Sequence, residues 1–294
     1  MGSQLAKLEH NVISPFAFHA PAQPTYTRKE QHLTPIHTIN RDRILTSFKA
    51  HTGDAKRYWE PGRYAQDDEH PFIIFSHGNA YDIGGCQEYM QWLATSFNAN
   101  VITYDYVNYG HSERGQTTQK NMEDAIMAVY EHVNKDIGVP QERIVLMGKS
   151  LGTAPTVFLA ARDFMDDIFG VVLVSPLASG ARAVAPPKFV KSKMLHYLDT
   201  IFCPSINLIP FVRTPVFIVH GKQDDVIPIE NAELLVAQLH SKAYYPPLYL
   251  HGKHNDLERG NPVLLRDQLT AFFKSCKARR AAEQDTRVLY EAGL

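Results

Sequence analysis

The chain has 294 residues, 44% of them hydrophobic and 21% charged, with 15 Phe and 14 Tyr; that supply of apolar side chains supports a large buried core and excludes disorder of the whole. Lys plus Arg number 30 against 31 Asp plus Glu, a net charge of −1, so there is no overall positive field to hold nucleic acid and no nucleic-acid partner is expected. Cys86, Cys203 and Cys276 stand far apart with no C-x-x-C spacing, which fits a reduced, cytoplasmic setting.

Residues 1 to 30 are rich in Pro, Ala and Thr and lack periodicity, and read as an extended N-terminal arm. The first residues, "MGSQLAKLEHN", carry no apolar stretch ending in a cleavage site, so no secretion is expected. Gly2 invites N-myristoylation, but Ala6 stands where that signal wants Ser or Thr. No apolar run approaches the roughly 20 residues that span a bilayer. From 31 to 275 the sequence reads as one domain of alternating strands and helices. The runs "PFIIFSH", "NVITYDY", "RIVLMGKS", "GVVLVSP", "PVFIVHG" and "PLYLHG" are continuously apolar, as strands buried on both faces are. A helix with Met122, Ala125, Ile126, Val129, Tyr130 and Val133 on one face is expected to start at a cap on Asn121. A last helix presents Leu265, Leu269, Phe272 and Phe273, with Asp256 expected to cap it; residues 276 to 294 form a polar tail, a solvated helix end or frayed segment. The class is α/β.

Gly148-Lys149-Ser150-Leu151-Gly152 lies directly between the strand "RIVLM" and the helical "TAPTVFLAARDF". A serine on so tight a turn is forced above the sheet, and glycines two residues to either side relieve the crowding. Ser150 is therefore the candidate nucleophile, against a reading in which it only caps the helix. A serine hydroxyl needs a base, and the base needs a carboxylate to hold its tautomer; with this elbow the chain order is Ser, acid, His. "KQDDVIP" after "PVFIVHG" offers Asp224, with Asp225 as its rival, and "KHND" after "PLYLHG" offers His254, with His251 as its rival. The oxyanion would be held by the backbone N–H groups of Asn79, in "FSHGNAYDIGG", and of Leu151, Gly78 allowing the close approach. The sequence has no H-E-x-x-H or other metal pattern, and this chemistry needs neither metal nor cofactor.

On these residues the chain resembles the α/β-hydrolase fold serine hydrolases over about 12 to 275. The motifs "AFHAPAQPTY", "FSHGNAYDIG", "YDYVNYGHS", "GKSLGTAPTV", "SPLASGAR", "HGKQDDVIP" and "HGKHND" resemble the alpha/beta hydrolase domain-containing protein 17 group, similar in fold to serine aminopeptidases. The resemblance implies a mostly parallel central sheet with helices on both faces and a short cap between the sixth and seventh strands, about 177 to 214. It also implies depalmitoylation, the cleavage of acyl thioesters on membrane-associated proteins, with nucleophile, acid and base at Ser150, Asp224 and His254. The N-terminal cysteine cluster that anchors mammalian members is missing, the first cysteine being Cys86. Asn108 stands where that group has Gly, Lys149 where it has Gln, and His251 where it has Gly.

In the cap, "PPKFVKSKMLHYLDTIF" sets Lys188, Lys191 and Lys193 among Phe189, Met194, Leu195, Leu198 and Phe202. These five apolar residues are expected to line an acyl groove and the lysines to meet an anionic membrane; the rival is an amphipathic cap helix packed on the core. The expected partners are an acylated protein or a lipid-like ester. A small-molecule carboxylesterase or lipase, a peptidase, and a catalytically silent binding module remain as alternatives.

Overall fold

The computed structural model describes residues 17–27, 33–49 and 70–291. An eight-stranded sheet runs through it in the order β1-β2-β4-β3-β5-β6-β7-β8. The strands are β1 (Leu33–His37), β2 (Arg43–Lys49), β3 (Phe72–Ser76), β4 (Asn100–Tyr104), β5 (Ile144–Lys149), β6 (Gly170–Val174), β7 (Val216–Gly221) and β8 (Leu248–Leu250). From β4 to β8 all pairings are parallel. The edge pair is antiparallel, β1 on β2 and β2 on β4. The six continuous apolar runs are β3 to β8. The edge pair was not expected from the sequence, where β2 mixes apolar and polar residues.

Alternation along the central strands sends their side chains to two faces. Ile74, Ile102, Leu146, Leu173 and Ile218 pack on one side, under α2 (Gln119–Glu131), α3 (Thr153–Ala160) and α4 (Glu230–Gln238). Ile73, Phe75, Val101, Met147, Val172 and Val219 pack on the other, under α1 (Ile83–Phe97) and α5 (Pro262–Glu291). Because the sheet is covered on both sides, its strand ends are where polar groups can gather, and in such a sheet the site usually lies at the carboxyl ends.

Two helix starts differ from expectation. The cap of α2 is Thr118, whose hydroxyl accepts the Asn121 N–H while the Asn121 side chain accepts the Thr118 N–H; Asn121 is the inner partner of a capping box. Asp256 caps nothing through its side chain: it precedes the short helix Leu257–Gly260 and accepts the Lys253 N–H at 2.6 Å, while α5 begins at Pro262. The tail expected after Cys276 continues α5 as helix to Glu291.

Between β6 and β7 the chain folds as a string of short turns, among them Gly180–Ala183, Pro187–Val190, Lys193–Tyr197 and Ser205–Leu208. No single amphipathic cap helix forms. The string is pinned by a buried fork in which Arg182 Nε and Nη2 donate to the two carboxylate oxygens of Asp199, each at 2.7 Å, with Ser179 Oγ donating to the same carboxylate at 2.7 Å. Planar bidentate pairing of this kind fixes geometry as well as charge. The described part of the N-terminal arm lies against the domain: Phe18 meets Phe202 edge-on at 5.4 Å, and Tyr26 is buried.

Glu123 lies on α2 against Ala154, Phe158 and Pro204. Burial there pushes its carboxyl up to about 7, against the lowering effect of the hydrogen bond from Gln119. The folded protein thus holds a proton on Glu123 between the ordinary carboxylate value and about 7, while the unfolded chain has lost it. The sign follows: stability falls as pH rises through that window and is flat above it. Glu123→Gln should remove this slope in urea unfolding and stabilise the protein above pH 7 by roughly 2–3 kcal/mol; an unchanged slope would place the titration elsewhere.

Candidate active site

Three side chains meet at the carboxyl ends of β5, β7 and β8. β5 ends at Lys149, and Ser150 turns the chain with φ +52° into a tight turn, Ser150–Gly152, before α3. A left-handed conformation is uncommon for a residue with a Cβ. The crowding around it accounts for its glycines. A Cβ on Gly148 would lie 2.5 Å from the Gly152 carbonyl oxygen, and one on Gly152 would collide with the carbonyl of Ser76 on β3. Thr153 Oγ1 donates to the Ser150 carbonyl at 2.6 Å and Thr156 Oγ1 to that of Gly152 at 2.8 Å, so the turn's carbonyls are satisfied from the first turn of α3.

His254, in the loop after β8, stands with Nε2 2.9 Å from Ser150 Oγ and Nδ1 2.8 Å from Asp224 Oδ2. Ser150 and His254 are 8% and 5% exposed, so the contact is shielded from bulk water while one edge remains reachable. The other oxygen of Asp224 accepts the N–H groups of Val226 at 3.0 Å and Ile227 at 2.8 Å. Burial by itself would lift this carboxyl. The hydrogen bond and charge of His254, with the two amides, outweigh it and hold Asp224 below the ordinary carboxylate value. The carboxylate is therefore ionised wherever an imidazole could serve as a base.

The two rivals lie outside this row. Asp225 faces solvent, 3.5 Å from Lys253 Nζ, and its carboxylate lies 3.5 Å from the His254 N–H. His251 is exposed and paired with Gln223 at 3.1 Å. A residue that sequence reasoning missed is His220, at the end of β7. Its Nε2–H donates to the Ile227 carbonyl at 2.9 Å and lies 3.4 Å from Asp224; burial lowers its pKa, so a neutral ring walls the acid's far side. Nothing in the run "PVFIVHG" distinguished it from an ordinary core histidine.

The loop after β3 passes beside the serine: a Cβ on Gly78 would sit 3.5 Å from Ser150 Cβ. This brings the backbone of Gly78-Asn79 alongside the start of the Ser150–Gly152 turn, where the Leu151 amide lies. The Asn79 side chain has a task the sequence did not suggest. Its oxygen accepts Tyr109 O–H at 2.6 Å and His19 N–H at 2.9 Å, and its nitrogen donates to the Ala17 carbonyl at 2.8 Å. It staples the loop to the N-terminal arm.

Below the loop, Asp105 is fully buried and accepts Tyr26 O–H at 2.5 Å and Ile83 N–H at 2.8 Å. Tyr106 donates to the His77 carbonyl at 2.7 Å. Burial, then the charge of Asp105, lifts the Tyr26 phenol far above its ordinary value, so Tyr26 stays a donor to that carboxylate.

The five apolar cap residues divide. Phe202 is buried over Gly180 and against Phe18 and so belongs to the core packing, a correction to its expected place on a groove. Leu195 is half-buried, while Phe189, Met194 and Leu198 are exposed. A cavity of about 670 Å³ opens at the opposite edge of the sheet, lined by Pro71, Arg143 and Phe169, which precede strands, and by α5; it has no part in the row. Among the described residues no helix is long and apolar enough to cross a membrane.

The family model of serine aminopeptidase, S33, matches residues 67–208, which includes Asn79, Ser150 and Leu151 and ends before Asp224 and His254. The alpha/beta hydrolase domain-containing protein aho-3 of Caenorhabditis elegans is 36% identical over 196 residues, 65% of this chain and 54% of that protein. Human alpha/beta hydrolase domain-containing protein 17B is 35% identical over 187 residues, 63% of this chain and 61% of that protein. The chain resembles these alpha/beta hydrolase domain-containing proteins in sequence and has the α/β-hydrolase fold. It matches only a little over half the length of these relatives. In fold it is similar to the Pyrococcus furiosus esterase Pf2001, with a TM-score of 0.63 at 17% identity, covering 89% of this chain and 98% of that one.

If the Asn79 side chain holds the loop, Asn79→Ala should lower stability by about 1–3 kcal/mol in urea unfolding. Asn79→Asp, which keeps the acceptors and loses the donor, should fall between. Equal stability of all three would mean that the staple contributes nothing.

Proposed function

We propose that this chain is a serine hydrolase that cleaves acyl thioesters or esters through an acyl-enzyme, with a long-chain acyl group on a protein thiol as its substrate. The observation that carries the reading is the row Ser150–His254–Asp224, with contacts of 2.9 and 2.8 Å. His254 Nε2 takes the proton of Ser150 Oγ as that oxygen attacks the acyl carbon, and Asp224 holds the opposite N–H and stabilises the imidazolium. The amides of Asn79 and Leu151 receive the oxyanion. The C–S or C–O bond then breaks, and the proton on His254 goes to the leaving group. A water, deprotonated by the same imidazole, cleaves the Ser150 ester and releases the acid.

The cap supports the choice of a long acyl chain. Val184, Phe189, Met194, Tyr197 and Leu198 are exposed among Lys188, Lys191 and Lys193, and the one acid between residues 177 and 214 is Asp199, buried on Arg182. An apolar, cationic surface without an exposed carboxylate suits a lipid tail and an anionic bilayer, each lysine contributing about 1 kcal/mol near such a surface. Lys191 also reaches Glu233 at 2.6 Å, which reduces its share. The same composition disfavours a peptidase, since the cap offers no free carboxylate to grip a peptide's amino end. The setting this implies is a cytoplasmic protein peripheral to membranes.

A fluorophosphonate probe should label the protein on Ser150, and Ser150→Ala should abolish labelling and lower kcat by at least about a thousandfold. Labelling that persists in Ser150→Ala would place the nucleophile elsewhere. A fold without labelling at all would make the chain a silent binding module. Against matched thioesters, kcat/KM should climb with each added methylene, up to about fourfold per group if fully buried; a maximum at acetyl or butyryl would indicate a small esterase. In vesicle sedimentation, binding should need anionic lipid and weaken when Lys188, Lys191 and Lys193 are replaced by Gln; binding indifferent to both would remove the membrane contact.

A further inference from the structure

On the side of Ser150 away from the cap, a cleft of about 420 Å³ opens between α1 and the segment 255–262. The two sides follow from the sheet. Lys149 alternates with Val145 and Met147 toward the face covered by α1 and α5, whereas the cap residues Leu177, Ala178 and Ile209 pack with the opposite face. A narrower cavity, about 50 Å³, joins Gly78 to the cleft and shares Tyr81, Gly85, Tyr89 and Lys149 with it. The cleft therefore begins beside the loop that passes Ser150 and ends at the surface near Arg259 and Pro262.

Its chemistry differs from that of the cap. One wall is aromatic: Tyr89 and Trp92 stack with ring centroids 5.6 Å apart and planes at 14°, and Tyr81 is exposed at the inner end. The Tyr89 hydroxyl is shut from solvent and has no hydrogen-bond partner. The other wall carries both charges: Lys149 Nζ lies 2.6 Å from Glu258 Oε1, and at the rim Arg259 faces Glu88 at 3.6 Å. An acyl chain laid here would strip water from four charged groups and return no hydrogen bond. A polypeptide fits better, because amide groups stack on aromatic rings while the mixed charges satisfy its polar atoms.

We infer that this cleft is the leaving-group subsite, holding the polypeptide that bears the acylated thiol, while the acyl chain lies on the cap side. The inference rests on the hydrolase reading above and adds which half of the substrate each side of Ser150 recognises. Lys149 then acts in the leaving-group wall through its pairing with Glu258.

Two thioesters sharing one long acyl group test it, one on a cysteine within a ten-residue peptide and one on N-acetylcysteamine. The readout is the ratio of kcat/KM on the peptide to that on the small thiol, in the full chain and in Tyr81→Ala and Arg259→Ala, both exposed positions. Tyr81→Ala should lower the ratio by about three- to tenfold, the size of one aromatic contact. Tyr81→Phe should restore it, and Arg259→Ala should lower it less. A ratio unmoved by Tyr81→Ala, or an altered dependence on acyl length instead, would overturn the subsite.

Binding separates this from the chemistry. In a Ser150→Ala background, a non-cleavable thioether of the same peptide should bind more weakly after Tyr81→Ala, and its N-acetylcysteamine counterpart should not. If that difference holds while the wild type cleaves neither thioester, the hydrolase reading fails and the cleft is a peptide-binding site without a leaving-group role; if it is absent, the cleft does not hold the polypeptide and the subsite fails.

Discussion

A serine forced to φ +52° between a strand and a helix is the constraint from which the site follows. The conformation costs about 1–2 kcal/mol for a residue with a Cβ, and the surrounding backbone leaves no cheaper course. The chain must leave β5 and enter α3 within three residues, while Gly152 presses on the carbonyl of Ser76 and Gly148 on that of Gly152. The same turn lifts Oγ to the edge of the sheet. There the loops after β7 and β8 deliver Asp224 and His254, and the row Ser–His–Asp closes across three parallel strands.

The polar groups around that row are arranged so that few can move alone. Asp224 spends one oxygen on His254 and the other on two amides, which fixes both the carboxylate and the ring facing it. Asp105 and Asn79 do the same for the loop after β3, tying it to Tyr26, Tyr109 and the arm at Ala17 and His19. Networks with most of their polar atoms paired rigidify a site, and here His77 Nε2 and His220 Nδ1 are buried atoms left without a hydrogen-bond partner. The N-terminal arm is thus part of the active-site wall, through Phe18 on Phe202 as well as through Asn79.

Local features were legible in the sequence and convergent ones were not. The elbow occupies five consecutive residues with a strand before and a helix after, and the six buried strands announce themselves as apolar runs. Asp224 and His254 could be named because chain order in this fold ties each to a strand end. The inward turn of Phe202 could not be read, because its neighbour Phe18 lies far off in the chain and the cap has no periodicity to orient it. Thr118 rather than Asn121 caps α2 because the capping box begins four residues before the first buried position, Met122, a spacing that apolar periodicity alone does not reveal. The staple at Asn79, the wall at His220 and the cleft at Tyr81, Tyr89 and Glu258 share one reason: each is assembled from separate segments by the sheet order.

The account rests on an imidazole whose two nitrogens have opposite duties. Nitrogen-15 NMR of histidine-labelled protein at alkaline pH reads this directly. The account predicts that the ring of His254 carries its proton on Nδ1, toward Asp224, leaving Nε2 as the bare acceptor of the Ser150 hydroxyl, and that Asp224→Asn destroys this preference. A ring protonated on Nε2, or one indifferent to the loss of Asp224, would contradict it.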